Sequence, residues 1–172
     1  MGHFLVANVY VEPLTLLIHG TVAPSEYHVS VIIQAPLPFV YNWCTDYTPD
    51  DLKYGGEKGE RRILQQGCKR VVFENLYDVG KGWGWERHVV TLKPPDSWHS
   101  EGRGNYFESS LDYKLTELSQ GKTKLDMHWK SKPGPMSRGR MASKSAIERY
   151  VTLLWRRRTR FIEREFRKKA GH

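Results

Sequence analysis

Four polar side chains stand out because they fall inside apolar strand or helix patterns: Asn75, Arg87, Ser109 and Arg158. Asn75 alternates with Val71, Phe73 and Tyr77, and Arg87 with Trp85, Val89 and Thr91. That two-residue period puts side chains on one face of a strand. Ser109 shares its phase with Phe107, Leu111, Tyr113 and Leu115. Arg158 lies four residues after Leu154 and three before Phe161, on one stripe of a helix. A guanidinium set in an apolar surface needs a partner, because an unpaired buried charge is very costly. A ligand carboxylate, enolate or phosphate could supply it through the arginine fork. An internal acid could equally do so, or the arginine could reach water at a sheet edge.

Other chemistries have less support. The sequence shows no evident pair of catalytic carboxylates and no base–nucleophile set, and it lacks Gly-x-Ser-x-Gly, Walker and dinucleotide motifs. Gly80-Lys81-Gly82-Trp83-Gly84 joins two strands instead of opening a helix, so it reads as a hairpin turn. His88, His99 and His128 fall on separate strands, in the phase expected to face solvent. With no close-spaced His/Cys/Glu motif, neither a metal nor a cofactor is expected. Cys44, beside Trp43 on a short helix, reads as a packing group. Two cysteines are too few for a disulfide scaffold, and a cytoplasmic, reducing compartment is the simplest expectation.

The charge is uneven. Net charge is +8, yet residues 138–169 hold 12 Lys and Arg against 3 acids, and the rest is near neutral with 15 basic and 16 acidic residues. Arg156, Arg157, Arg160 and Arg164 are the candidate anion-facing surface on this segment. A solvated helix face is the plain reading; weak contact with an anionic membrane or a nucleic acid is the functional one. Oligomeric state is not legible.

The elements that must position these residues follow from turn signals in a chain of 172 residues, one domain's worth. Residues 28–34 alternate as a strand. Residues 37–45 form a short helix, and Thr48-Pro49-Asp50-Asp51 starts another that Gly55-Gly56 stops. Six strands follow, at 61–66, 69–79, 83–92, 98–103, 106–118 and 122–131, separated by Gly, Pro and Asn signals. A helix over 140–169 closes the chain; at about 45 Å it exceeds a small sheet, so one end should project. Residues 1–27 are an N-terminal extension, either an extra hairpin or poorly ordered, and the domain proper spans 28–172.

This order predicts an α+β fold in which a seven-stranded curved antiparallel sheet wraps a long C-terminal helix. A concave, aromatic-lined gap between sheet and helix is a usual place for an apolar ligand. Phase assigns its lining to Phe73, Asn75, Tyr77, Trp85, Arg87, Trp98, Ser109, Leu111, Tyr113, Met127 and Trp129 from the sheet, and to Val151, Leu154 and Arg158 from the helix.

The stretch Val29-Ser30-Val31-Ile32-Ile33-Gln34-Ala35-Pro36, with Val40 and Trp43 after it, resembles the opening of the START-like SRPBCC superfamily. The six strands and closing helix match the rest of its helix-grip fold. The resemblance implies an internal cavity for a hydrophobic small molecule, such as a lipid or polyketide-like compound. Within that superfamily a polyketide cyclase/aromatase-like enzyme is the alternative. The extension at 1–27 and the very basic helix end depart from the pattern.

Overall fold

The computed structural model describes residues 25–78, 82–119, 121–137 and 144–171. Of the extension expected at 1–27, residues 1–24 lie outside them, as does the start of the predicted last helix, while residues 25–27 belong to the first strand. Strand β1 (Ser25–Ile33) is followed by helices α1 (Leu37–Thr45) and α2 (Asp51–Gly55). Strands β2 (Gly59–Gln66), β3 (Arg70–Asp78), β4 (Trp83–Lys93), β5 (Ser97–Gly104), β6 (Phe107–Ser119) and β7 (Lys122–Pro133) come next, and helix α3 (Lys144–Ala170) last. All neighbouring strands are antiparallel, in the order β1-β7-β6-β5-β4-β3-β2.

Local sequence explains the breaks. Pro36 precedes α1 in an extended conformation and Pro38 sits in its first turn, where a missing N–H costs nothing. The backbone N–H and hydroxyl of Thr48 both donate to Asp51 Oδ1, at 3.2 and 2.7 Å, which ties down the entry to α2. Gly56 ends α2 at φ 78°, a left-handed position that favours glycine.

The core lies between the inner face of the sheet and α1 and α3. Ile33, Val40, Val71, Val90, Leu125 and Ile162 are fully buried there. The helix buries Ile147, Trp155, Thr159 and Ile162. Trp155 is thus a core residue, although its neighbours in sequence place it within a charged run. Its ring meets Tyr113 edge-on at 6.1 Å. Near its C-terminal end α3 is tied to α1, although residues 167–171 are themselves exposed. Phe166 packs on Phe39 of α1 at 5.2 Å, and Lys169 Nζ sits 5.6 Å from the same ring.

Candidate functional site

The inner face divides into an apolar half and a polar half. In the apolar half Trp98 stacks on Tyr113 at 4.7 Å, Tyr41 meets Trp98 edge-on at 6.0 Å, and Met127 is buried beside them. Leu111, Trp129 and Val151 pack against the same core, and Leu154 is half-buried.

The polar half consists of two rows running across the sheet. Strand register aligns Arg61 with Asn75, Asn75 with Glu86, and Glu86 with Gly104. The next row aligns Phe73 with His88, His88 with Gly102, Gly102 with Ser109, and Ser109 with Ser131. His88 and Glu86 belong to the inner face here, opposite to the solvent phase expected of His88.

That phase change corrects two predicted lining residues. Trp85 and Arg87 occupy the outer face; Trp85 is 38% exposed, and Arg87 Nη2 pairs with Glu74 at 2.6 Å. The cause is the β3–β4 register, which pairs Asn75 with Glu86 and Tyr77 with Gly84. A register one residue longer would have paired Asn75 with Arg87, and a one-residue slip turns every side chain over. The bulk of Trp85 points to the wrong phase, whereas the glycines mark the right one. A Cβ on Gly84 would overlap the Tyr77 ring, and one on Gly102 would overlap Ser109 Oγ and His88 Cε1.

Charges in this half are matched internally. Arg61, with its side chain 8% exposed, pairs with Asp51 at 2.5 Å and donates through Nε to Asn75 Oδ1 at 2.9 Å. Its guanidinium lies 4.1 Å from the centre of the Phe73 ring, which stacks on His88 at 4.9 Å. Burial lowers the pKa of Arg61, and Asp51 opposes that shift. Arg158 pairs with Glu57 at 2.7 Å, so of the partners open to it in the sequence an internal acid is the one present. Burial of Arg158 is outweighed mainly by that carboxylate, and its pKa is raised. Sequence reasoning missed Arg61, Asp51, Glu57, Glu86 and His88: Arg158 and Glu57 are 101 residues apart, and Glu86 and His88 fall on the strand phase read as outward.

His88 is engaged at both ring nitrogens, with Ser100 Oγ at 3.0 Å and Glu86 Oε2 at 3.1 Å. Burial first, then the adjacent Glu86 carboxylate, pushes the Tyr77 hydroxyl well above its ordinary pKa. Burial likewise pushes the Cys44 thiol up, which suits a packing group and not a nucleophile.

Several buried polar atoms have no hydrogen-bond partner among the described residues. Trp129 Nε1, Ser131 Oγ, Arg158 Nε and Thr159 Oγ1 are four of them, on β7 and α3. Buried polar atoms are normally paired, so such a group calls for an explanation. Helix α3 packs chiefly on β1 and α2. A separate concavity of about 500 Å³ opens on the outer face of the sheet, lined in part by His28, Ser30, His99, Asp112 and His128.

The arginines of α3 are not equivalent. Arg156, Arg160 and Arg164 are exposed, with Arg164 stacked 4.6 Å from the centre of the Phe161 ring. Arg157 is half-buried and donates through Nη1 to the Gly55 carbonyl at 3.3 Å, so it belongs to the α2–α3 contact. No described helix is long and apolar enough to cross a membrane.

No family model and no curated protein matches the chain. Solved structures do. The Zhui aromatase/cyclase from a Streptomyces species superposes with a TM-score of 0.67 at 15% identity, over 83% of this chain and 95% of that one. A START superfamily protein from Mycobacterium smegmatis gives 0.59 at 10% identity, over 83% and 97%. Ara h 8.0201 gives 0.62 at 8% identity, over 81% and 98%. At these identities the likeness is one of fold: the chain has a START-like helix-grip fold.

Proposed function

We propose that the protein binds a hydrophobic small molecule with an oxygen-rich end in the cleft between sheet and α3. The observation that carries this reading is the set of buried, unpartnered polar atoms on β7 and α3. Trp129 Nε1 and Arg158 Nε are obligate N–H donors, and the hydroxyls of Ser131 and Thr159 can donate as well. Such a set suits a carbonyl, enolate or carboxylate at one end of the ligand. The aromatic half of the cleft suits an apolar body, of the lipid or polyketide-like class. Arg61, Asn75 and Ser109 would set the ligand's orientation.

Cyclase/aromatase-like catalysis is the second reading, favoured by the Ser100–His88–Glu86–Tyr77 chain at the polar end and by the name of the Streptomyces neighbour. It ranks second because a general base needs a free nitrogen within reach of its proton, and both nitrogens of His88 are engaged. Native mass spectrometry of protein purified gently from its host tests both readings. A co-purifying oxygenated apolar compound supports binding. Turnover of a poly-β-keto thioester would move the assignment to the enzyme. A bare mass together with no uptake of any lipid or polyphenol would refute the cleft as a binding site.

A further inference from the structure

The outer face of the sheet carries a second cluster, unrelated to the cleft. On β1 Glu26 and His28 are two residues apart and so share a face; His28 is paired in register with His128 of β7. The His28 and His128 rings are parallel within 8° at 4.4 Å. One ligand atom from each of Glu26, His28 and His128 lies within 4.8 Å of the others. His128 Nε2 is buried and makes no hydrogen bond among the described residues. It lies 3.5 Å from Glu26 Oε2. Ligands held about 2.0–2.1 Å from a tetrahedral zinc are about 3.4 Å apart, so this spacing fits, and the stacked His28 and His128 rings would turn apart to aim both nitrogens at one ion.

We propose that Glu26, His28 and His128 form a surface site for a divalent transition ion of borderline softness, zinc above all. Two imidazoles and one carboxylate leave a fourth position open. The outer concavity, lined by His28 and His128, lies beside it. Glu26 is supported from its far side, since Lys130 Nζ holds Oε1 at 3.2 Å and leaves Oε2 for the metal. Such outer contacts orient a ligand. The strand itself is fixed there by the His28 backbone N–H, which donates to Glu148 Oε1 on α3 at 3.1 Å.

The test uses the untagged full chain, stripped with chelator and titrated with zinc alone by calorimetry. The expected result is one equivalent bound. The expected loss is more than about a hundredfold in affinity for His28→Ala or His128→Ala, beyond the roughly 10–100-fold that a supporting contact costs. His99→Ala, on the same outer face and already engaged by Asp112 and Glu101, should bind as the parent does. Cobalt titration adds a readout independent of stability, because a tetrahedral site gives strong visible absorption that Glu26→Gln should weaken. All three histidine positions are partly solvent-exposed, and circular dichroism checks their fold. No uptake by the parent chain, equal affinity in His128→Ala, or loss in His99→Ala alone would overturn the proposal.

Discussion

The Arg61–Asp51 pair predicts an asymmetry between its two halves. Asp51→Asn keeps the size of the side chain and an oxygen to accept from Thr48, but removes the charge. Arg61 then remains with its side chain 8% exposed, holding only Asn75 and the face of Phe73. Breaking a buried pair from one side costs about 3–5 kcal/mol. Asp51 is 20% exposed, so the lower end applies, about 3 kcal/mol. At about 2–4 °C per kcal/mol for a chain of this size, Tm should fall by about 6–12 °C. Arg61→Met is the opposite case. It removes the buried charge, fills its volume with an apolar chain, and leaves Asp51 bonded to Thr48. Its cost should be about 1 kcal/mol, since the Asp51 left behind is 20% exposed and keeps two hydrogen bonds from Thr48. Thermal unfolding and urea midpoints of both variants and the double variant decide it. Equal losses for the two single changes, or a loss below about 1 kcal/mol for Asp51→Asn, would refute the claim that Arg61 is a buried charge.

Three further expectations follow from other parts of the structure. Gly102→Ala should cost about 1–3 kcal/mol by overpacking, and Ser109→Ala should recover part of it, as read by urea unfolding. At His99 burial works against the charged ring, but hydrogen bonds to Asp112 and Glu101 outweigh it and raise the pKa. The pair's stabilisation is therefore full below the unfolded pKa and lost as pH rises through the folded one, so His99→Gln should lower Tm at about pH 5 and hardly at about pH 9. Changing Arg156, Arg160 and Arg164 together to Gln should leave Tm nearly unchanged while weakening low-salt binding to anionic vesicles, and adding Arg157→Gln should cost about 1 kcal/mol through the lost Gly55 contact.

The order of elements was legible because punctuation in this chain is local. Pro36 lacks a backbone N–H, and Gly56 takes up the left-handed turn that ends α2, so each marks its break from its own residue type. Inner phase was legible on β3, β6 and β7, where a single alternating set is apolar. It failed on β4, where Trp85 and Val89 compete with Val90 and Leu92 and only strand register decides. The burial of Trp155 was hidden by its arginine neighbours, since periodicity sees the residue's position but not the crossing of α3 over Tyr113. The ion pairs were hidden for a related reason. Arg158 meets Glu57 across a hundred residues of chain, a pairing that exists only once α2 docks on α3.

The most direct test of the account is a fluorescence titration with anilinonaphthalene sulfonate, an aromatic probe with an anionic end. The native chain should bind it saturably with one equivalent, Arg61→Met more weakly, and Ser109→Trp, which places an indole in the polar rows, not detectably. Equal binding by the native chain and folded Ser109→Trp would contradict the cleft as the binding site.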